Sequence, residues 1–287
     1  MASRLEAFAS DIPQGLHSDG RRGELDFWWL GQAGFLIRFG SKRIVIDPYL
    51  SDSLAKKYSG TRFPHQRMMR VPVEPQNLFP IDYVFITHGH TDHMDPESLG
   101  PIATANPNCT FVVPEAEKAK AIDRGVPTRR LASIDASDRM RLDAGLSLIA
   151  IPAAHEDLNR DAQGRHFFLG YVLRVEKGPV LYHSGDCIPY AGLNDHLSGL
   201  DIDLALLPIN GRDSARLANG VPGNFSLKEA VELCDAANIP LMLGHHFGMF
   251  AENNADLEEA RRTLTDLPHA ARVALSELNT RYRLSIG

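Results

Sequence analysis

Short apolar runs punctuated by glycines dominate the start of the chain. Residues 25–30, 34–39 and 42–47 are rich in aromatic and β-branched side chains, which predicts a β-meander of three short strands. The preceding residues 1–24 are polar, and we expect them to form an N-terminal arm. The rest of the chain, residues 25–287, is expected to fold as one domain, because no linker, repeat or low-complexity tract interrupts it.

Strands and helices alternate through the rest of the chain. The apolar segment 81–87 predicts a buried strand, whereas residues 50–80 show no period and predict a long irregular loop. Ser226, followed three residues later by Glu229, predicts a capping box at the start of a helix. The tail from residue 272 fits either a strand or a helix. Further strands are expected at 110–114, 146–155, 168–176, 179–186, 203–210 and 239–246, and helices at 97–106, 115–125, 226–238 and 255–266. This alternation predicts an α/β sandwich.

Composition excludes several classes of protein. The 287 residues carry 30 basic and 36 acidic side chains, so the net charge is −6, and a mildly acidic chain is a poor binder of nucleic acid. No apolar stretch approaches the roughly 18 residues of a spanning helix, and the first 25 residues hold no apolar core of a signal peptide. Three cysteines without a CxxC pair indicate a reducing compartment. We therefore expect a cytoplasmic protein without a membrane span.

The 12 histidines of the chain are unevenly distributed. His88, His90, Asp92 and His93 lie within six residues, directly after the predicted strand 81–87. Imidazole and carboxylate groups together suit Zn²⁺, Mn²⁺ or Fe²⁺. His88 and His90 are two residues apart, so both imidazoles point to the same side of an extended chain. The segment therefore predicts a metal site.

Three later strands end in further metal-competent residues, His155, Asp186 and His246. Open α/β sheets bind ligands at the carboxyl ends of their strands. We therefore expect these three side chains to converge on the histidine cluster. The neighbouring His183 is expected to pack nearby, and His65 is expected to have no special role.

The order HxHxDH, His, Asp, His resembles that of the metallo-β-lactamase superfamily over nearly the whole chain. The resemblance implies a single-domain, four-layer αββα sandwich with two divalent metal ions, Mn²⁺ or Zn²⁺, with Fe²⁺ as a further candidate. It implies a metal-dependent hydrolase that uses a metal-bound hydroxide. In this pattern the first metal is held by His88, His90 and His155, the second by Asp92, His93 and His246, and Asp186 bridges the two.

Longer segments narrow the resemblance to the L-ascorbate-6-phosphate lactonase family. These segments are WLGQAGFLI (29–37), IDPYLSDS (46–53), LPINGRD (207–213), GNFSLKEA (223–230) and HFGMFAENNAD (246–256). The resemblance implies opening of a lactone of a phosphorylated sugar acid, with manganese as the metal. Asp92 and His93 are then the expected catalytic residues, with Asp92 carrying a proton to the leaving alkoxide. Aligning HFGMF makes His246 the final ligand and His245 its neighbour.

The expected substrate is a small anionic molecule. Asn210, Arg212, Asn224 and His245 are the candidate substrate-binding residues, and the guanidinium of Arg212 suits a phosphate or carboxylate. A local salt bridge from Arg212 to Asp213 and a helix-capping role for Asn224 remain open. Residues 56–70 are basic and could attract the anion.

Two alternatives remain at this point. HFGMF also resembles bacterial relatives of N-acyl-phosphatidylethanolamine phospholipase D, which are phosphodiesterases and need an apolar groove. Phe63, Met68, Met69 and Phe79 are candidates for its lining. The second alternative is a non-catalytic metal-binding sensor, which the complete set of seven ligand positions disfavours. We expect a homo-oligomer.

Overall fold

Two β-sheets face each other in the computed structural model, which describes residues 2–21 and 23–287. Within these residues one sheet has eight strands in the order β1-β15-β2-β3-β4-β5-β6-β7, and the other has seven in the order β14-β13-β12-β11-β10-β9-β8. The strands are β1 Ser3–Ala9, β2 Leu25–Gly31, β3 Gly34–Phe39, β4 Lys42–Ile46, β5 Tyr83–Phe85, β6 Thr110–Pro114, β7 Leu131–Ile134, β8 Arg139–Asp143, β9 Leu146–Pro152, β10 Leu169–Val175, β11 Val180–His183, β12 Leu204–Pro208, β13 Leu241–His245, β14 Arg272–Leu275 and β15 Thr280–Ile286.

Helices cover the outer faces of both sheets. Ile12, Leu99 and Ala121 belong to helices that pack on the outer side of the eight-stranded sheet. Leu193 and Val231 belong to helices on the seven-stranded sheet. The helices are α1 Ile12–Leu16, α2 Ser53–Lys57, α3 Pro96–Ala105, α4 Lys118–Asp123, α5 Leu193–Leu197, α6 Ser214–Ala218, α7 Leu227–Ala236 and α8 Leu257–Asp266, with 3-10 turns at Pro75–Asn77, Glu115–Glu117 and Thr128–Arg130. The predicted single-domain αββα sandwich is confirmed.

The main core lies between the sheets. Phe27, Phe35 and Phe85 from one sheet and Tyr171 and Leu206 from the other are fully buried there. The aromatic and β-branched residues of the predicted strands supply this layer, because alternate side chains of a strand point to one face. The predicted capping box of α7 is present, with reciprocal hydrogen bonds between Ser226 and Glu229.

The N-terminal segment does not form a separate arm. Residues 3–9 form β1, which pairs antiparallel with β15 from Ser3–Ile286 to Ala9–Thr280, and residues 12–16 form α1. The prediction of an arm over residues 1–24 was wrong because an edge strand exposes one side and is polar on it, while its partner lies at the opposite end of the chain. Met1 and Arg22 lie outside the described residues.

Parallel strands bring the functional segments to one edge of the sandwich. β4 to β7 run parallel in one sheet and β11 to β14 run parallel in the other. The loops that follow β5, β9, β11 and β13 carry the candidate ligands. The predicted loop 50–80 contains only α2 and the turn Pro75–Asn77 as regular structure. No helix within residues 2–21 and 23–287 is long and apolar enough to cross a membrane.

Candidate metal centre

The HxHxDH segment folds as a tight turn between β5 and α3. The amides of His93 and Met94 donate to the carbonyl of His90, at 3.2 and 2.8 Å. Asp95 then caps α3 by accepting a hydrogen bond from the amide of Glu97. This turn brings His88, His90, Asp92 and His93 close together, as the sequence spacing predicted.

Two groups of metal-competent side chains lie side by side. One contains His88, His90 and Asp186, and the other contains Asp92, His93 and His246; within each group the ligand atoms are all within 4.8 Å of one another. His155 adjoins the first group, with its ring 5.0 Å from that of His90, centroid to centroid. The structure therefore brings all seven predicted ligands together, although they come from four separate loops.

Asp186 lies between the two groups. Its Oδ1 is 3.2 Å from Nε2 of His93 and 3.1 Å from Nε2 of His246. Its Oδ2 is 3.8 Å from Nε2 of His155. One carboxylate thus faces both groups, which is the position of a bridging ligand in a two-metal site.

The ligand atoms meet the requirements of a divalent metal. Nε2 of His88 is buried and, within the described residues, has no hydrogen-bond partner. Nε2 of His93 and Oδ1 of Asp186 are also buried, and they face each other at 3.2 Å without the geometry of a hydrogen bond. Buried polar atoms without partners are rare in proteins, and imidazole nitrogen with carboxylate oxygen is a donor set for Zn²⁺, Mn²⁺ or Fe²⁺. These residues therefore fit one or two divalent ions.

Burial and the dense charge act in opposite directions on the pKa values. Burial lowers the pKa of His88 well below its usual 6.5, so the ring is neutral. Burial alone would also lower the pKa of His93, but the carboxylates of Asp186, Asp47 and Asp92 raise it well above 6.5. Burial would raise the pKa of Asp186, but His246 and His93 hold it well below its ordinary value. The charges of the site therefore favour an ionised Asp186.

Asp47 and Thr87 orient two of the histidines. Oδ2 of Asp47 lies 2.7 Å from Nδ1 of His93 and accepts the hydroxyl of Thr87 at 2.6 Å, while Oδ1 accepts the amide of Thr87 at 2.8 Å. The hydroxyl oxygen of Thr87 lies 3.0 Å from Nδ1 of His88. Protons on both Nδ1 atoms leave both Nε2 atoms free to bind a metal. Sequence reasoning missed Asp47, although its place at the end of β4, beside β5, was a usable signal.

Gln32 holds the opposite side of the second group. Its Nε2 donates to Oδ2 of Asp92 at 2.8 Å and lies 3.1 Å from Nε2 of His246. Its backbone carbonyl accepts the amide of His246 at 3.0 Å. His246 has a φ of 65°, a left-handed conformation that turns its side chain away from the direction of the strand. Gln32 was also missed, because the turn between β2 and β3 gives no local sign of it.

His245, a predicted substrate-binding residue, lies in the core rather than on the cavity. Its ring is fully buried, stacks on His183 with centroids 5.1 Å apart, and meets the edge of Phe35. His183 binds the carbonyl of Ala33 through Nε2 and accepts the amide of Gly185 at Nδ1. His245 thus belongs to the core between the sheets, whereas His183 supports the loop that carries Asp186.

Arg212 does not reach the candidate site. Its guanidinium forms a two-pronged ion pair with Glu229, at 2.6 and 2.7 Å, which leaves the predicted role in anion binding without structural support. The alternative partner Asp213 pairs with Arg216 instead. Asn210 and Asn224 are buried and bonded to each other at 3.2 Å. Their link to the site is indirect, because Asn210 donates to Asn253 at 2.7 Å.

A cavity of about 180 Å³ opens onto the ligand cluster. His90, Asp92, His155 and Asp186 form its floor. His93 does not line it, so its predicted catalytic role is limited to what it does as a ligand. Lys57, from the basic stretch 56–70 that was expected to attract an anion, also lines the cavity. Sequence reasoning assigned no role to several other lining residues, which come from distant segments: Leu54, Tyr58, His65, Arg124, Val221, Pro222, Phe250 and Asn253.

Comparison with known proteins agrees with this fold and site. The family described as beta-lactamase superfamily domain matches residues 42–247. A UPF0173 metal-dependent hydrolase of Myxococcus xanthus is 27% identical over 262 residues, covering 89% of this chain and 82% of the relative. The chain therefore belongs to the beta-lactamase superfamily domain family, the metal-dependent hydrolases of metallo-β-lactamase fold.

Two solved structures share the architecture at low sequence identity. An isothiocyanate hydrolase from Delia radicum gut bacteria superposes with a TM-score of 0.71 at 17% identity, covering 89% of this chain and 98% of that one. Igni18, a metallo hydrolase of Ignicoccus hospitalis, gives a TM-score of 0.66 at 17% identity, with coverage of 90% and 98%. At such identities the likeness supports the fold alone.

Proposed function

We propose that the protein hydrolyses a small anionic substrate with two divalent metal ions, and that a lactone of a phosphorylated sugar acid such as L-ascorbate 6-phosphate is the first candidate. The observation that carries this proposal is Asp186, whose two carboxylate oxygens face the two ligand groups. A site built for one ion has no need of a carboxylate between two sets of histidines.

The proposed ligands follow the two groups. His88, His90 and His155 would hold one ion, Asp92, His93 and His246 would hold the other, and Asp186 would serve both. Two such ions, Mn²⁺, Zn²⁺ or Fe²⁺, would lower the pKa of a bound water and stabilise the negative charge that develops on the substrate.

Asp92 is the ligand best situated for a second task. Its side chain is 17% exposed and lines the cavity. Gln32 donates to its Oδ2 and so holds that oxygen in place, while the cavity gives substrate access to the carboxylate. Asp92 can therefore pass a proton to the leaving oxygen, whereas the fully buried His93 cannot touch the substrate.

Two cations of the cavity wall favour an anionic substrate. Lys57 and Arg124 line the cavity, and within the described residues neither forms an ion pair with a carboxylate. Nη1 of Arg124 donates to the carbonyls of His90 and Met94, which anchors the guanidinium beside the ligands. A phosphate or carboxylate of the substrate would supply the missing negative partner.

The alternatives are less well supported. Of the four residues considered for a lipid groove, Met69 packs against Met249 and Tyr49 and Phe79 lines a different cavity, remote in sequence from the ligands. Neither lines the cavity above the ligands, which disfavours a phospholipase. The sensor alternative predicts bound metal without turnover, and the experiment below separates it from an enzyme.

The test is hydrolysis of L-ascorbate 6-phosphate by protein loaded with Mn²⁺ or Zn²⁺, beside other lactones, phosphodiesters and an isothiocyanate. His88→Ala should abolish turnover, because it removes a ligand, and should leave the circular dichroism spectrum unchanged. Substantial turnover by this variant would contradict the metal assignment. Bound metal without turnover of any of these substrates would favour the sensor.

Charge selection has its own pair of variants. Lys57→Ala should raise KM for a phosphorylated substrate far more than for its neutral analogue. Arg212→Ala is the matched control, because its guanidinium is occupied by Glu229, and it should leave both KM values unchanged. Equal effects of Lys57→Ala on both substrates would remove Lys57 from the anion site.

A further inference from the structure

His65 lines the same cavity as four of the candidate ligands. It lies in the loop after α2, and the same cavity is lined by Asp92 and Asp186. Its ring stacks on Tyr58, with centroids 4.5 Å apart, and meets the edge of Phe250 at 5.3 Å. Two aromatic rings therefore fix the plane of the imidazole at the cavity surface.

One edge of this imidazole is fully engaged. Nδ1 lies 2.7 Å from the carbonyl of Phe63 and 3.2 Å from Oε1 of Glu252. The same Glu252 oxygen accepts the backbone amide of His65 at 2.7 Å, and the Glu252 side chain is only 8% exposed. Because a carbonyl can only accept, the proton of the neutral ring sits on Nδ1.

The other edge is free. Within the residues that the structure describes, Nε2 of His65 has no hydrogen-bond partner, while the side chain is 17% exposed and lines the cavity. The residue also holds a φ of 50°, an uncommon backbone conformation of the kind that clusters at functional sites. A histidine oriented at Nδ1 by a carboxylate and open at Nε2 has the form of a proton-transfer group.

We propose that His65, oriented by Glu252, is the proton donor to the leaving group in hydrolysis; the proposal rests on the proposed function. Water adds to the electrophilic carbon of an ester or lactone, forming one C–O bond, and the C–O bond to the leaving oxygen breaks. Nε2 of the doubly protonated His65 gives its proton to that oxygen. The proton released by the attacking water restores the ring, so that one water is consumed and an acid and an alcohol are formed.

Asp92 is the competing donor to the leaving oxygen, and the present proposal assigns that proton to His65 instead. Glu252 and the phenol of Tyr58 are the titratable groups that contact the ring, and Lys57 and Arg124 are the cations on the same cavity wall. Asp92 and His65 both line the cavity, so a substrate bound there can reach either side chain, and the dependence of rate on the leaving group decides between them.

The test is the dependence of rate on the leaving group, in metal-loaded protein with a series of substituted phenyl acetates and ethyl acetate as probes. His65→Asn suits the left-handed backbone, since Asn tolerates it, and removes Nε2. It should lower kcat about 10²- to 10⁴-fold for the poorest leaving group and less than about tenfold for p-nitrophenol, which needs no proton. His196→Gln, a variant at an exposed ring near Tyr190, is the control and should match the wild type throughout.

The outcomes separate the two proposals. Wild-type turnover no greater than that of His88→Ala, both for these esters and for L-ascorbate 6-phosphate, overturns the proposed function and the role of His65 with it. Turnover whose leaving-group dependence is unchanged in His65→Asn overturns the role of His65 alone, because a purely structural loss slows all esters alike. Glu252→Gln should give the same selective loss in smaller degree, since an amide still accepts the His65 amide proton but carries no charge.

A second measurement does not use turnover. Diethyl pyrocarbonate modifies an accessible imidazole nitrogen, and peptide mass spectrometry can follow His65 in the folded protein. The geometry predicts that His65 reacts and that inorganic phosphate in the metal-loaded cavity slows the reaction. An unreactive His65 would show that Nε2 is closed to the cavity and would overturn the proposal.

Discussion

Asp47→Asn tests whether hydrogen bonds to the Nδ1 atoms keep the ligand histidines in the tautomer that can bind a metal through Nε2. The carboxylate of Asp47 is fully buried and faces three groups, namely the amide and hydroxyl of Thr87 and Nδ1 of His93. The asparagine side chain has nearly the same shape but only one accepting oxygen. If that oxygen keeps the Thr87 amide, its NH₂ group opposes Nδ1–H of His93.

Two responses are open to the variant, and both weaken metal binding. His93 can move its proton to Nε2, which blocks the ligand atom, or it can keep Nδ1–H without a partner, which costs about 1–3 kcal/mol. Loss of the hydrogen-bond partner of a metal-ligating side chain typically lowers metal affinity about 10- to 100-fold. At about 1.4 kcal/mol per tenfold, this corresponds to about 1.4 to 2.8 kcal/mol.

The assay is competition between the protein and a chromophoric chelator for Zn²⁺ or Mn²⁺. Asp203→Asn is the matched control. Asp203 also accepts a hydrogen bond from a backbone amide, that of Val180 at 2.8 Å, but Val180 lies at the start of β11, whereas the loops that carry the candidate ligands follow the ends of strands. The Asp203→Asn variant should bind metal like the wild type. Unchanged affinity and stoichiometry in Asp47→Asn would refute the argument that Asp47 fixes the proton of His93.

Two further predictions concern stability. Asp26 accepts hydrogen bonds from buried Arg38 and from Arg283; burial would raise its pKa, but the two arginines hold it below 3.8. Asp26→Asn should therefore cost about 3–5 kcal/mol of unfolding free energy at pH 7. This contribution to stability is present above pH 3.8 and is lost as the pH falls through the pKa of Asp26 in the folded protein. Urea unfolding at pH 7 and pH 3 should therefore show that the difference in unfolding free energy between wild type and variant shrinks at low pH, and a constant difference would contradict the ion pair. Gly185 has a φ of 61°, and a Cβ there would lie 2.8 Å from Cβ of Thr87. Gly185→Ala should therefore lower the free energy of unfolding by about 1–3 kcal/mol and weaken metal binding by displacing the neighbouring Asp186. Thermal unfolding with and without chelator measures both effects, and a variant that matches the wild type would contradict the tight fit.

The local sequence pattern was enough to predict the strands and helices and the four candidate ligands of the HxHxDH segment. The strands and helices follow from periods of two and 3.6 and from end signals such as Ser226 and Glu229. The HxHxDH segment brings four candidate ligands together within one turn. Knowing that strand ends converge was sufficient to add His155, Asp186 and His246.

The residues that the structure places differently from expectation have one thing in common, which is that their contacts join distant segments. Arg212 faces Glu229 across 17 residues, and the orientation of His245 depends on which face of β13 looks toward Phe35. β1 was assigned to an arm because its partner β15 is at the other end of the chain. Each case needs the arrangement of the whole sandwich, which no local window contains.

The sequence by itself determined the class of fold, the nature of the ligands and their order along the chain, because short-range periodicity and side-chain chemistry encode these. Only the tertiary structure decided which groups support and surround the ligands. Asp47, Gln32 and His65 come from separate loops; only Asp47, at the end of β4, has a local sign of its role, and nothing in the immediate neighbours of the other two marks them. They acquire a role when the packing of two sheets brings their polar atoms to one edge, where burial makes each unsatisfied donor and acceptor costly and so demands a partner.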